Sequence, residues 1–365
     1  MTSIKEIINT LESFASKIYQ ENYDNSGLIV GDESTKVTGI LVSLDCTEAV
    51  VDEALQKKCN MIISHHPIVF KGLKKLTGSN YVEKTIIKAI KNDIAIYAIH
   101  TNLDNVAGGV NFKIAAKLGL VGTKILSPKH QILKQLITFV PKDHVESLAE
   151  ALHEAGAGQI GDYKECSFRT EGVGTFIPME GTHPYTGKKN VKSYENEVRL
   201  EIIVPAHKEY QILTAMRKAH PYEEVAYYLL PLANSNQEVG AGAIGILDKS
   251  METEKFLLHL KQSMGLSVIR HTPLLKKEIK TVAVCGGSGS FLLPDAIKAQ
   301  ADIFITADYK YHEFFDAENH IIIADIGHYE SEVHTKDLIY EVISKKLANI
   351  AVILSEINTN PINYF

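Results

Sequence analysis

Short apolar runs alternating with amphipathic helical patterns occur three times near the start of the chain and three times near its end. The first set covers residues 39–45, 61–64 and 94–99, and the second covers residues 281–285, 302–307 and 321–324. Runs of this length between helical patterns read as buried strands of an α/β layer with largely parallel pairing. The two sets predict a duplicated three-strand α/β unit. In such sheets ligands gather in the crevice beyond the carboxyl ends of the strands. The polar residues that close each run are therefore the ones to search for chemistry.

The first helix is expected at Ser3-Ile-Lys-Glu6, which has capping-box form, with Ile4, Ile7, Ile8, Leu11 and Phe14 at helical spacing. Residues 22–31 read as a turn-rich loop. Further helices are predicted over 47–58, 82–92, 109–118 and 331–347. The middle of the chain has another rhythm. Residues 136–141 and 200–205 are apolar strands ending in Val-Pro, and each is followed by a helical pattern, Val145, Leu148, Leu152 and then Ile212, Leu213, Met216. Two such tandem units predict a ferredoxin-like βαββαβ module. The expected organisation is a discontinuous α/β domain, residues 1–127 and 233–365, with residues 128–232 inserted at a surface loop.

With 365 residues, 45% of them hydrophobic, the chain can bury two or three cores. Its net charge of -6 offers no basic footprint, so nucleic acid is not an expected partner. Cys46, Cys59, Cys166 and Cys285 form no CxxC and read as small apolar residues. The first residues lack the order of a signal peptide, and no run reaches membrane-spanning length. A cytoplasmic protein is expected.

Five potential metal ligands close the predicted strands. His65 and His66 follow the second run. Asp104 follows the third, in His100-Thr-Asn-Leu-Asp104. His328 and Glu332 follow the last, and an i,i+4 spacing puts them on one helix face. Three imidazoles and two carboxylates are too many for one tetrahedral zinc with an open position. They suit two divalent ions about 3.5–4 Å apart that share a carboxylate. Glu332 is the expected bridge, with His65 and His66 divided between the ions. Zinc, manganese, iron and cobalt all accept such mixed ligation.

Other residues are candidates for neighbouring roles. His100 is placed as a donor that orients Asp104, or as a proton carrier, and His312 as a general acid/base past the fifth strand. Asp45 and Asp325 read as residues that orient the ligands or cap helices. Gly286, Gly287, Ser288 and Gly289 lie between a strand and a helix and read either as a tight turn or as a loop whose backbone N–H groups cradle an anion such as a phosphate. His220-Pro-Tyr-Glu-Glu224 and Thr182-His-Pro-Tyr185 read as turns, or as a binding surface of the inserted module.

Asn25-Ser-Gly-Leu-Ile-Val-Gly31, Ser64-His-His-Pro67, His100-Thr-Asn-Leu-Asp104, the Gly286 loop and Gly327-His328 with Glu332 together resemble the NGG1-interacting-factor-3-like family. Its bacterial members carry the label GTP cyclohydrolase I type 2 homologue. Gly174-Thr-Phe-Ile-Pro178 and His220-Pro-Tyr-Glu-Glu224 resemble its longer members, whose insert is similar to the PII/CutA-like ferredoxin fold. The resemblance implies a dinuclear site, usually zinc, on the same five ligands. It also implies a toroidal homohexamer with metal sites facing an internal cavity. The expected activity is metal-dependent hydrolysis of GTP or a related phosphorylated small molecule. The alternatives are a metal-dependent phosphoesterase or nucleotide hydrolase, and a non-catalytic metal-binding regulator or chaperone.

Overall fold

The computed structural model describes residues 2–161 and 163–365. Contacts divide the chain into two units. Residues up to Ser127 with Val239–Phe365 form the first, and Pro128–Glu238 form the second. The strand Tyr227–Leu232 pairs with Leu133–Thr138 inside the second unit.

The first unit is a mixed α/β structure with two sheets. In one, the strands Ile40–Ser43, Met61–Ser64 and Ala95–Ala98 are parallel neighbours, and Gly27–Val30 pairs antiparallel beside the third. In the other, Glu278–Ser288, Ile303–Ala307 and Ile322–Asp325 are parallel neighbours, and Arg270–His271 pairs antiparallel beside the third. Most of these parallel strands are buried along their whole length. That is why they read as continuous apolar runs and not as alternating patterns.

One core joins the inner faces of both sheets. It holds Val42, Ile63 and Tyr97 from one and Val284, Ile305 and Ala324 from the other, with the helices Ile4–Phe14, Val110–Lys117 and Thr335–Lys346. The outer face of the first sheet packs Leu41, Ile62 and Ile96 on the helices Glu48–Gln56 and Tyr81–Lys91. Each fully buried Ile or Leu contributes about 1.5–3 kcal/mol relative to exposure. Ser3 and Glu6 form the reciprocal capping box the sequence predicts. Cys46 and Cys59 pack in the outer core of the first sheet and Cys285 in that of the second.

Two local expectations are corrected. Residues 27–30 form an edge strand and not a loop, because Leu28-Ile-Val30 finds a partner in Tyr97 and its neighbours. The helix expected over 331–347 is split into His328–Glu332 and Thr335–Lys346.

The inserted unit has the element order βαββαβ and a fully antiparallel sheet. Counting its strands from Leu133–Pro141, the spatial order is 4-1-3-2, that of a ferredoxin-like module. Its helices Val145–Glu154 and Glu209–Ala219 cover one face through Leu136, Val140, Leu200, Leu148 and Ile212. Among the described residues, no helix is long and apolar enough to cross a membrane.

Candidate metal centre

Three parallel strands of the first unit deliver the cluster. Met61–Ser64 ends at His65 and His66. Ala95–Ala98 continues through Ile99 and His100 into the single turn Thr101–Asp104. Ile322–Asp325 leads through Gly327 into His328–Glu332, and this short helix places His328 and Glu332 one turn apart.

Each imidazole of the cluster is oriented by an acceptor on Nδ1. His65 donates to the Ile99 carbonyl at 2.8 Å, and His66 donates to Asp45 at 2.7 Å. His100 donates to Asp24 at 2.8 Å, and His328 donates to Asp308 at 2.6 Å. The acceptors set the tautomer, and the Nε2 atoms of His65, His66 and His328 turn towards Glu332, the arrangement by which proteins position metal-binding histidines.

The inward atoms meet around Glu332. Its Oε2 lies 2.9 Å from His66 Nε2 and 3.0 Å from His328 Nε2, and those two nitrogens are 3.3 Å apart. Its Oε1 faces the other way and is 3.9 Å from His65 Nε2. His65 Nε2 lies 3.6 Å from Asp104 Oδ1. Both of these atoms are buried, and neither has a hydrogen-bond partner. Leaving two such atoms unpartnered is costly, and a cation between them satisfies both. Three overlapping groups could hold a metal ion: His65 with Asp104 and Glu332, His66 with His328 and Glu332, and His65 with His66 and His100.

The electrostatics fit a cation site. Burial pushes His65 down to about 3, so its Nε2 carries a lone pair at neutral pH. Burial also opposes charge on His66, but Asp45 and Glu332 outweigh it and raise the ring to about 9. His328 follows the same logic, with Asp308 and Glu332 raising it to about 11 against burial. Burial disfavours charge on Glu332, yet His328 and His66 hold its carboxyl well below the usual range. Burial and the Glu332 charge push Asp104 well above it. Without a metal, the protonated His66 and His328 rings therefore offset part of the charge of Glu332, Asp45 and Asp308. A cation held by these residues would take over that task and displace the ring protons.

The cluster opens into a cavity of about 1080 Å³ in the first unit. Phe70, Phe291 and Tyr329 form apolar walls, and Thr359, Asn360 and Ile362 form part of the rim. Thr359 donates to the second oxygen of Asp45 at 2.5 Å, tying the C-terminal segment to the carboxylate that holds His66.

The structure brings His65, His66, Asp104, His328 and Glu332 into one group. The other candidates fare differently. His100 does not touch Asp104 through its Nδ1. It is fixed by Asp24, and its ring stands 5.2 Å from that of His65 and 5.3 Å from that of His66. Asp45 orients His66. Asp325 is a structural lock, accepting from Arg270 and from the backbone N–H groups of Tyr309 and Gly327.

His312 is exposed and stacks against Phe315, and it does not line the cavity. The chain turns at Asp308, where φ is +58°, so the residue facing the cluster is Asp308. In the glycine loop, two of the backbone donors are engaged within the fold: Gly286 N–H donates to Asn111 and Gly287 N–H donates to Ser331. Gly286 and Ser288 line the cavity. The loop needs Gly287 in particular: its φ is +61°, and a Cβ there would lie 2.4 Å from Glu332 Oε1. Sequence reasoning missed Asp24 and Asp308. The signal for Asp308 was its place just beyond the strand Ile303–Ala307, matching that of the other site residues.

These features define an α/β protein with a buried imidazole–carboxylate cluster that could hold a metal ion. The chain matches the model of the family described as Duf34/NIF3 (NGG1p interacting factor 3) over residues 2–361, and it belongs to that family. A relative from Halalkalibacterium halodurans named GTP cyclohydrolase 1 type 2 homolog is 36% identical over 363 residues, covering 98% of each chain. One of the same name from Bacillus subtilis is 36% identical over 365 residues, covering 99% of this chain and 98% of its own. A crystal structure of a Bacillus cereus protein related to NIF3 superposes with a TM-score of 0.88 at 39% identity, covering 100% of this chain and 99% of that one.

Proposed function

We propose that the chain is a metal-dependent hydrolase whose His65, His66, Asp104, His328 and Glu332 hold two divalent ions, with Glu332 shared between them. The division of Glu332 carries this reading. One oxygen faces His66 and His328, and the other faces the side of His65 and Asp104. Zinc suits the donor set, and manganese, iron and cobalt do as well. Bound divalent ions would supply Lewis-acid polarisation and a water of lowered pKa.

The chain's own residues do the rest. Asp45, Asp308 and the Ile99 carbonyl fix the imidazoles. Phe70, Phe291 and Tyr329 give the cavity apolar walls beside the cluster. His100, held by Asp24 through Nδ1, lines the cavity and is placed to move a proton there. Among the described residues, Lys71 is the only lysine lining the cavity, and no arginine lines it. Recognition of a phosphorylated substrate would therefore rest on the metals.

GTP is the first substrate to test, because the curated relatives carry the GTP cyclohydrolase name. Opening of the purine at C8 releases formate. Metal-loaded protein is expected to produce formate from GTP, and a His65→Ala/His66→Ala variant is not. Formate no higher than that of the variant eliminates the cyclohydrolase reading. Inorganic phosphate or a nucleoside monophosphate as the product marks a phosphoesterase instead, and tight binding without turnover marks a regulator. The matching arrangement of three parallel strands and one antiparallel strand in each sheet supports reading them as copies of one unit. The inserted module is read as PII/CutA-like, and the assembly as a toroidal homohexamer with the metal sites towards its interior. The mass in solution tests that assembly.

A further inference from the structure

The inserted unit has a cavity of its own, about 640 Å³, within the range of small-molecule sites. Every residue lining it belongs to that unit. Strand register places Phe139, Glu197 and Tyr228 on the face of the sheet opposite Leu136, Val140, Val198 and Leu200, which pack under the helices. The loop between the strands Ser167–Phe176 and Ser193–Pro205 brings Tyr185 over this face, and the turn after the helix Glu209–Ala219 brings Tyr222. Two sequence motifs, Thr182-His-Pro-Tyr185 and His220-Pro-Tyr-Glu-Glu224, thus meet at one place.

Five aromatic rings form the walls. Phe139 and Tyr228 stand 5.8 Å apart and nearly perpendicular, Tyr222 lies 6.3 Å from Phe176, and Tyr185 lies 6.0 Å from Tyr222. Between them Glu197 is only 9% exposed. Its Oε1 accepts from the Tyr222 hydroxyl at 2.8 Å. Gly174 on the neighbouring strand makes room for it, since a Cβ there would lie 2.0 Å from Glu197 Oε2. Among the described residues, Glu171, Glu223 and Glu224 also line the cavity, against a single guanidinium, that of Arg199. Arg199 is engaged by Glu201 at 3.0 Å, and Glu171 by Lys142 at 2.7 Å.

A buried carboxylate is costly unless it is paired. The Tyr222 hydroxyl is a neutral donor, and among the described residues no cationic side chain forms an ion pair with Glu197. Aromatic faces around such a carboxylate attract cations and offer little to anions. We propose that this cavity is a second ligand site, separate from the metal cluster, which binds a small organic cation of the quaternary ammonium, polyamine or guanidinium type. Glu197 supplies the counter-charge, and the rings of Phe139, Phe176, Tyr185, Tyr222 and Tyr228 form the cage.

Calorimetric titration of the full chain with choline, spermidine and arginine tests this, with the neutral carbon isostere of choline as control. At least one cation is expected to bind saturably at millimolar concentration or below. Glu197→Gln, which keeps the side chain's shape, is expected to weaken that binding roughly tenfold. Tyr228→Ala removes a ring that is 58% exposed, so the fold survives, and it is expected to weaken binding several-fold. The His65→Ala/His66→Ala variant is expected to bind the cation as the parent does. The proposal is overturned if none of the three cations binds, if the neutral isostere binds equally well, or if both cavity variants bind unchanged.

Discussion

At the scale of single residues, the metal cluster depends on what stands behind each imidazole. Asp308 holds His328 through Nδ1 at 2.6 Å, so Asp308→Asn is expected to lower metal affinity about 10–100-fold with all five ligands intact. Competition with a chelator measures this. Gly287→Ala is expected to fold and yet lose metal, because its Cβ would enter the space of Glu332 Oε1. Metal analysis of the purified variant checks that. Proton competition has a definite sign. His66 and His328 are held at about 9 and about 11, so both rings carry protons at neutral pH and must lose them to bind a metal. Affinity is therefore expected to rise as pH climbs, with proton release visible as a buffer-dependent heat of binding. The five ligand candidates could be read from the chain because residue type and strand-end position coincide. Their orienting partners could not. Asp24 lies 76 positions from His100, and no local pattern pairs residues so far apart.

At the scale of elements, fully buried parallel strands leave plain apolar runs, and the six of them were predictable for that reason. Gly27–Val30 was hidden by the polar, turn-forming residues around it, and only its partner Ala95–Ala98 makes it a strand. The helix Tyr81–Lys91 shows how a start signal works. Asn80 accepts from Glu83 N–H, and the Glu83 carboxylate gathers the backbone N–H groups of Thr77 and Ser79 with their hydroxyls. These backbone bonds, to Ser79 and Thr77, lower Glu83 from its ordinary 4.5 to about 2. A depressed carboxyl stabilises the fold above its ordinary pKa and loses that contribution as pH falls towards the folded value. Glu83→Gln is therefore expected to lower the melting temperature at neutral pH and to flatten its decline between about pH 4.5 and 2. Melting curves that keep the parent's acid dependence would contradict this.

At the scale of the whole molecule, the chain leaves the first unit and returns to it on neighbouring strands, Leu120–His130 and Ser235–Glu252. Each unit has its own core. Replacing residues 128–238 with a short Gly/Ser linker is thus expected to leave a folded chain that still binds metal, read by circular dichroism and metal content. The topology of the inserted unit could be read from its tandem strand–helix rhythm. Its cavity could not, because two turn motifs and an unpaired sheet face meet only in three dimensions. The proposed centre holds a pair of metal ions that share Glu332. Anomalous diffraction from crystals of the metal-loaded protein tests it most directly. Two anomalous peaks about 3.5–4 Å apart are expected, one near His65 and Asp104 and one near His66 and His328. A single peak, or none among these residues, would contradict it.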